Sequence, residues 1–148
     1  MADWDPEAFT RATIEDMRAH GGKITKGPMA GEPLMVLTTK GAKTGQARTA
    51  IVKFTRDGEA YCVAGSKSGA PTDPSWYLNL RENPEVKVEA EGRTFDARAT
   101  IAEGPDRDRL WERHVEALPG FAEYPAKTEG RVIPMIRLTP VAEGKPSR

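Results

Sequence analysis

The chain has 148 residues, enough for one domain with its own hydrophobic core. Lys and Arg number 22, as do Asp and Glu, so the formal net charge is zero and the basic excess of a general nucleic-acid binder is missing. Cys62 is the single cysteine, so no intrachain disulfide forms. No apolar stretch approaches the roughly 20 residues of a membrane span, and the acidic N-terminus lacks a secretory signal. These features predict a cytoplasmic protein and leave attachment to a membrane surface open.

The first predicted element is a helix. The sequence DPE at positions 5–7 supplies a capping Asp, a Pro for the first turn and a Glu that favours the helix N-terminus. Phe9, Thr13 and Met17 then recur at helical spacing up to His20. Two glycines end the helix, and the Gly- and Pro-rich residues 22–33 are predicted to be a loop. Residues 1–33 therefore precede the main body as a helix and a loop.

Six stretches of the main body have strand character. They are separated by turn signals such as the Asp-Gly at 57–58 and the Glu-Gly at 91–92. The predicted strands are residues 34–39, 49–55, 61–64, 86–90, 94–101 and 132–138. Pro134 in the last of these predicts an edge strand or a bulge, because proline cannot donate to a ladder.

Two further helices are predicted between the strands. The first, residues 76–83, follows an Asp-Pro and ends at Asn-Pro, and the second runs from Asp106 to Leu118. Most strand connections are too short for parallel crossovers. The sequence therefore predicts one mainly β (α+β) domain over residues 1–148. It is a mostly antiparallel barrel of about six strands with flanking helices, followed by a loose tail at 141–148.

Two Gly-containing turns are the candidate site. The first, within LTTKGAKTGQAR at 37–48, combines glycines with Lys43, Arg48 and threonine hydroxyls. Backbone N–H groups and fixed positive charge in such a turn suit a phosphate or carboxylate. Taken alone, this stretch is better explained as a solvated hairpin turn. It also lacks the full phosphate loop of nucleotide triphosphatases.

The second turn, SKSGAPTDPSWYLN at 66–79, links a strand to a helix through small residues. These leave room for a flat ring, and the Ser66 hydroxyl is placed to donate to a carbonyl. A flexible surface loop is the competing interpretation. Trp76 either stacks on a ring or fills the barrel mouth, and Asn79 either caps the helix or binds a ligand.

Other chemistries find little support in the sequence. His20 and His114 lack carboxylate or cysteine partners at metal-ligand spacing, so no metal site is predicted. Neither Ser66 nor Ser68 stands in a GxSxG elbow, which argues against hydrolysis. Cys62 has no basic neighbour in its strand, and we interpret it as a core residue.

In order and spacing, the two turns resemble the deazaflavin (coenzyme F420)-dependent nitroreductases, the A branch of the flavin/deazaflavin oxidoreductases. The resemblance runs from LMVLTTKGAKTGQAR to DGEAYCVAGSKSGAPTDPSWYLNLRENPEVKV, with RVIPMI as the last strand. It implies a split β-barrel, and coenzyme F420 as the cofactor, with flavin mononucleotide as the alternative. It also implies a cofactor-binding set made of Ala42, Lys43, Thr44, Arg48, Thr49, Ala50, Ile51, Val52, Lys53, Ala64, Gly65, Ser66, Lys67, Ser75, Trp76, Tyr77, Leu78 and Asn79.

The resemblance further implies hydride transfer from the reduced deazaflavin to a small activated acceptor, a quinone, enone or nitro compound. Ser66 is the candidate to polarise the acceptor carbonyl, and Tyr124 or solvent to supply the proton. The LPGFAEY segment keeps a single tyrosine where nitroimidazole-activating members have several, which favours an apolar, quinone-like acceptor. A non-catalytic carrier of the coenzyme or of a lipid, a purely structural module, and either a monomer or a homodimer stay open.

Overall fold

A computed structural model describes residues 6–25, 30–69 and 71–141; the predicted Asp5 cap, part of the 22–33 loop and nearly all of the predicted tail lie outside them. The described helices are α1 (Pro6–Ala19), α2 (Ser75–Glu82) and α3 (Gly104–Ala117), with 3₁₀ helices at Lys67–Gly69, Pro119–Glu123 and Pro125–Lys127. The described strands are β1 (Leu34–Lys40), β2 (Ala47–Lys53), β3 (Thr55–Asp57), β4 (Ala60–Ala64), β5 (Glu85–Ala90), β6 (Arg93–Ile101) and β7 (Met135–Pro140).

The strands form one antiparallel sheet in the order β2-β1-β5-β6-β7-β4-β3. Its two edge strands, β2 and β3, are separated in sequence by Phe54 alone. In a flat sheet these edges would be roughly 29 Å apart, six strand spacings, which one residue cannot bridge. The sheet therefore curls until its edges meet, and the predicted mostly antiparallel barrel with flanking helices is confirmed.

Phe54 marks the first difference from the sequence-based prediction. The predicted strand at 49–55 is divided here into β2 and β3, which gives seven strands where about six were expected. Phe54 is buried (6 % exposed), and its N–H donates to the carbonyl of Pro33 at 3.0 Å. The chain thus passes from one edge of the sheet to the other at a residue anchored by its ring and its amide.

Pro134 marks the second difference. The last strand begins at Met135, so the proline lies just outside the ladder, where its missing N–H leaves no gap. Strand β7 pairs with β6 on one side and β4 on the other, so the prediction of an edge strand or a bulge is wrong. The Pro134 carbonyl instead accepts a hydrogen bond of 2.9 Å from the Gly65 N–H.

Strand β1 is buried on both faces, which explains its nearly continuous apolar sequence. Met35 and Leu37 belong to the main core inside the barrel, whereas Leu34 and Val36 pack with Met17 of α1 on the outer face. Helix α1 is also joined to β5 by a bidentate pair between the Arg18 guanidinium and the Glu89 carboxylate, at 2.8 and 2.9 Å. The helix therefore covers the outer face of β1 and β5.

Helix α3 covers the other part of the sheet and buries His114 completely. The His114 Nδ1 and the Thr55 hydroxyl are hydrogen-bonded at 3.0 Å, while Nε2 has no partner in the described part of the chain. Burial lowers the pKa of His114 to about 4, so the ring is neutral at physiological pH. Its role is to pack against Phe121 and Trp111.

Candidate functional site

A groove of about 600 Å³ lies between the β1–β2 turn and helix α2. It joins parts of the two stretches that the sequence singled out, residues 37–48 and 66–79. The groove is lined by Thr39, Gly41, Ala42, Lys43, Thr44, Arg48, Thr49, Ala50, Ser75, Trp76, Leu78 and Asn79. Ten of these belong to the predicted cofactor-binding set. Thr39 and Gly41 do not, although both lie in the same sequence motif.

The β1–β2 turn, residues 41–46, is held by its own backbone. The Gly41 N–H donates to the Gln46 carbonyl at 2.8 Å, and the Gly45 N–H donates to the Gly41 carbonyl at 2.9 Å. Gly45 has a φ of +72°, a conformation that favours glycine. A Cβ at Gly41 would lie 2.8 Å from the Thr44 hydroxyl oxygen, so glycine lets that hydroxyl fold back over the turn and accept from the Gln46 N–H.

Asn79 connects the turn to α2. Its side-chain oxygen accepts a hydrogen bond from the Ala42 N–H at 3.0 Å, and its side-chain nitrogen donates to the Thr39 hydroxyl at 3.1 Å. The residue is 9 % exposed. Both ends of the amide are therefore engaged inside the protein, and Asn79 fixes the distance between the two walls of the groove.

The remaining polar groups of the turn are left for a ligand. Of the N–H groups in residues 41–46, those of Lys43 and Thr44 donate to no acceptor among the described residues. The side chains of Lys40, Lys43 and Arg48 are exposed and form no ion pair within the same part of the chain. Cationic side chains without an ion pair and backbone N–H groups without an acceptor among the described residues are the groups that suit an anion, and Lys43 and Arg48 also line the groove.

The pairing of β1 with β2 decides which predicted residues lie on the inner face of the sheet. Arg48, Ala50 and Val52 pair with Thr39, Leu37 and Met35, so they share the inner face of the sheet. Three predicted residues of β2 lie on the opposite face of the sheet: Thr49, Ile51 and Lys53. Thr49 still lines the groove rim, Ile51 packs toward the α1 cluster, and the Lys53 ammonium pairs with the Glu32 carboxylate at 2.8 Å.

Helix α2 supplies the second wall. Ser75, Trp76 and Leu78 line the groove, and Trp76 also packs against the main core. Tyr77 points the other way and is buried in that core. The Arg81 guanidinium lies 5.5 Å from the Tyr77 ring centroid. The apolar side chains that line the groove are thus Trp76, Leu78 and Ala50.

The predicted residues Ala64, Gly65, Ser66 and Lys67 lie at the end of β4, outside the groove lining. Ser66 is 7 % exposed, and its hydroxyl makes no hydrogen bond with the described residues. Tyr124 is half-buried between two 3₁₀ helices, with its ring 5.2 Å from that of Phe121. The structure thus brings the turn and α2 together but does not add Ser66 or Tyr124 to the same groove.

Neither metal ligation nor membrane spanning is supported within the described ranges. No group of three or more His, Cys, Asp or Glu residues there has the arrangement to hold a metal ion. In the same ranges, none of the helices combines the length and apolar character needed to cross a membrane. Burial raises the pKa of the Cys62 thiol to about 11, which keeps it protonated and unreactive.

The curled antiparallel sheet defines a split-barrel protein, with a groove between the β1–β2 turn and α2. Residues 9–140 match the F420H(2)-dependent quinone reductase family, and the chain belongs to that family. It is 36% identical over 125 residues to the F420H(2)-dependent quinone reductase Rv1261c of Mycobacterium tuberculosis, which covers 82% of this chain and 83% of the relative. The predicted family and its oxidoreductase class are confirmed, with coenzyme F420 as the cofactor.

Solved structures agree with this assignment. An F420-H2 dependent reductase (FDR-A) has a TM-score of 0.65 at 37% identity, over 72% of this chain and 93% of that one. A chain described as a domain-swapped dimer has a TM-score of 0.68 at 32% identity, over 90% of this chain and 99% of that one. The predicted split β-barrel is therefore confirmed.

Proposed function

We propose that this protein binds reduced F420 in the groove between the β1–β2 turn and α2 and reduces a small quinone or enone. The observation that most supports this proposal is that one groove is lined both by cations of the β1–β2 turn and by apolar side chains of α2. Lys43 and Arg48 line the groove from the β1–β2 side, and Trp76 lines it from α2. Such an arrangement suits a ligand with an anionic tail and a flat ring.

The groove fits this cofactor class in size and chemistry. Its volume lies within the roughly 300–1,000 Å³ range of small-molecule sites. The free N–H groups of Lys43 and Thr44, with the two cationic side chains nearby, would hold phosphate or carboxylate oxygens. The wall of Trp76, Leu78 and Ala50 would hold a ring. When bound, the reduced deazaflavin supplies a hydride, and the protein supplies orientation and electrostatics.

Ser66 and Tyr124 are proposed to act on the acceptor rather than on the cofactor. The Ser66 hydroxyl makes no hydrogen bond with the described residues, and we propose that it donates to an acceptor carbonyl. The Tyr124 hydroxyl is similarly free, while its ring packs in an aromatic group with Phe121 and Trp111. We propose Tyr124 or solvent as the proton source. The aromatic group favours an apolar acceptor over a charged one.

The rest of the predicted set stays part of this proposal. Ile51, Val52, Lys53, Ala64, Gly65, Lys67 and Tyr77 are proposed to contribute backbone atoms or support, since their side chains do not line the groove. We propose a cytoplasmic setting, with a membrane surface and either a monomer or a homodimer as open alternatives.

Titration of the purified protein with coenzyme F420 tests the proposal, with cofactor fluorescence as the readout. We expect saturable binding of F420, much weaker binding of flavin mononucleotide, and loss of reduced-cofactor absorbance when a menadione-like quinone or a cyclohexenone is added. Preferential binding of flavin mononucleotide would contradict the cofactor assignment. Tight F420 binding with no turnover across a broad acceptor panel would instead identify a carrier.

A further inference from the structure

Arg131 lies between the last 3₁₀ helix and β7 and makes three hydrogen bonds to one loop. Its Nη1 donates to the Gly65 carbonyl and to the Asp73 carboxylate, both at 2.9 Å. Its Nη2 donates to the Ser66 carbonyl at 2.9 Å. The side chain is 12 % exposed. One guanidinium therefore joins the end of β4 to the residue that stands two positions before α2.

The loop between these anchors, residues 65–73, leads directly into the groove wall. It also holds an uncommon backbone conformation, because Lys67 has a φ of +47° and is not a glycine. Such a conformation is unfavourable for a residue with a side chain and persists only where the surroundings impose it. The loop thus needs external contacts to keep its shape, and Arg131 provides three of them.

The other side of the loop is packed against the same segment of chain. A Cβ at Gly65 would lie 2.8 Å from Pro134 Cγ, and one at Gly69 would lie 3.0 Å from Lys127 Cβ. Arg131 is itself fixed by Thr128, whose hydroxyl donates to the Arg131 carbonyl at 2.7 Å. Residues 127–134 therefore form a rigid support, and the guanidinium is its connection to the loop.

We propose that Arg131 is a positioning residue, which sets Ser66 and the start of α2 relative to the segment that carries Tyr124. The role assigned to Ser66 rests on the function proposed above; the fixing of the loop by Arg131 does not. A planar guanidinium reaches two carbonyls and a carboxylate at once, whereas a lysine ammonium is a point charge without that fork. Arg131→Lys should therefore keep the positive charge beside Asp73 and lose the geometry.

The matched control is Arg107→Lys. The Arg107 guanidinium also donates two hydrogen bonds to a carbonyl in this segment, from Nε and Nη2 to Ile133 at 3.0 and 2.7 Å, and its side chain is 18 % exposed. It makes no hydrogen bond to the described residues of the 65–73 loop. A general loss of stability should affect both variants, while a loss of positioning should affect Arg131→Lys alone.

Hydrogen exchange of the peptide covering residues 65–74 tests the loop directly, with no need for activity. The Gly69 N–H donates to the Ser66 carbonyl and the Gly65 N–H to the Pro134 carbonyl, each at 2.9 Å. In Arg131→Lys we expect these amides to exchange about tenfold faster, and in Arg107→Lys no change. Equal exchange in wild type and Arg131→Lys would overturn the proposal. Should Arg131→Lys fail to fold, Asp73→Asn should give a smaller increase in the same peptide, and no increase there would equally overturn it.

Turnover with reduced F420 tests the link to the site. We expect kcat of Arg131→Lys to fall by about tenfold while the cofactor Kd changes by less than about threefold, because Lys43 and Arg48 are untouched. If Arg131→Lys and Arg107→Lys lose kcat and cofactor affinity to the same extent, the role of Arg131 is merely structural, and the positioning proposal is overturned. If wild type binds no F420, the proposed function fails, while the exchange experiment still decides the role of Arg131.

Discussion

Charged side chains are used in opposite ways in two regions of this molecule. At the β1–β2 turn, Lys43 and Arg48 point into the groove without an ion-pair partner among the described residues. Between β3, β7 and α3, Arg137 pairs with both Asp57 and Asp106, and each of those carboxylates also contacts Arg109. The turn thus carries cations without acids beside them, whereas in the second region arginines and aspartates form ion pairs with one another.

The difference separates charges that bind from charges that hold the fold. The arginines lower the pKa of Asp57 and hold that of Asp106 at about 2, because their hydrogen bonds favour the carboxylate form. The turn cations have no such partner and are free to meet an anionic ligand. The zero net charge of the chain hides this division, since the turn cations are balanced elsewhere by exposed acids.

The largest expected effect comes from removing the turn cations. Lys43→Ala combined with Arg48→Ala should raise the F420 Kd by about 100-fold or more, because each charge-assisted hydrogen bond contributes about 1.5–3 kcal/mol. Its melting temperature should stay close to wild type, since exposed unpaired charges add little to stability. Fluorescence titration and thermal unfolding measure the two quantities.

The control for that double variant is Lys87→Ala with Arg98→Ala. These two exposed cations lie on the β5–β6 hairpin, 3.8 and 3.6 Å from Asp96 and Glu85. This variant also removes two positive charges, but from residues that do not line the groove. Its affinity for F420 should therefore match wild type. Equal losses in the two double variants would mean that long-range charge, rather than the turn, attracts the cofactor.

The opposite outcome is expected in the paired region. Arg137→Met should lower the free energy of unfolding, since it removes the guanidinium that donates hydrogen bonds to both the Asp57 and the Asp106 carboxylates. The F420 Kd should change by less than about twofold, as Arg137 does not line the groove. Urea unfolding and the same titration test this. A large loss of affinity with unchanged stability would reverse the assignment of the two regions.

The sequence predicted the elements well because their signals are local. Alternating apolar residues, Gly turns and helix starts identified most strands and all three helices. The break at Phe54 was missed because Phe54 and the threonine that follows it are both good strand formers. The sequence there therefore predicts one continuous strand. The chain bends at Phe54 because the two edge strands of the sheet, β2 and β3, meet there. This closure depends on the whole barrel and not on the local sequence.

The site was predicted in part for the same reason. The turn cations, Trp76 and Asn79 belong to short motifs that the chain displays openly. The partners of Arg131 and Arg137 lie 58 to 66 and 31 to 80 residues away, and such pairings have no local signal. Likewise, Asn79 was expected to cap a helix or bind a ligand, and only the structure shows both ends of its amide engaged with the turn.

Asn79 offers an intermediate test of how the turn is prepared for binding. Asn79→Ala removes the hydrogen bonds to the Ala42 N–H and the Thr39 hydroxyl but no charge. We expect the F420 Kd to rise by about tenfold, because the turn must then be ordered at the moment of binding. The salt dependence of binding should match wild type. Asn83→Ala, at the end of the same helix, is the control, and an equal loss there would indicate a general effect on α2.

The smallest expected effect is the pH dependence of the paired region. The folded-state pKa of Asp106, about 2, lies below its ordinary value of 3.8 because Arg137 and Arg109 donate hydrogen bonds to the carboxylate. The unfolded chain therefore binds the proton more readily, so the stabilisation by this carboxylate is complete above about pH 4 and is lost as pH falls toward 2. Asp106→Asn should melt below wild type at pH 6, and the gap should narrow as pH falls from 4 to 3. Asp96→Asn, whose carboxylate makes a single ion pair at 3.8 Å, should differ little from wild type at either pH. A gap for Asp106→Asn that stays constant down to pH 3 would mean that its hydrogen bonds, and not its charge, join α3 to β7, and the contrast with the turn would then concern geometry rather than pairing of charge.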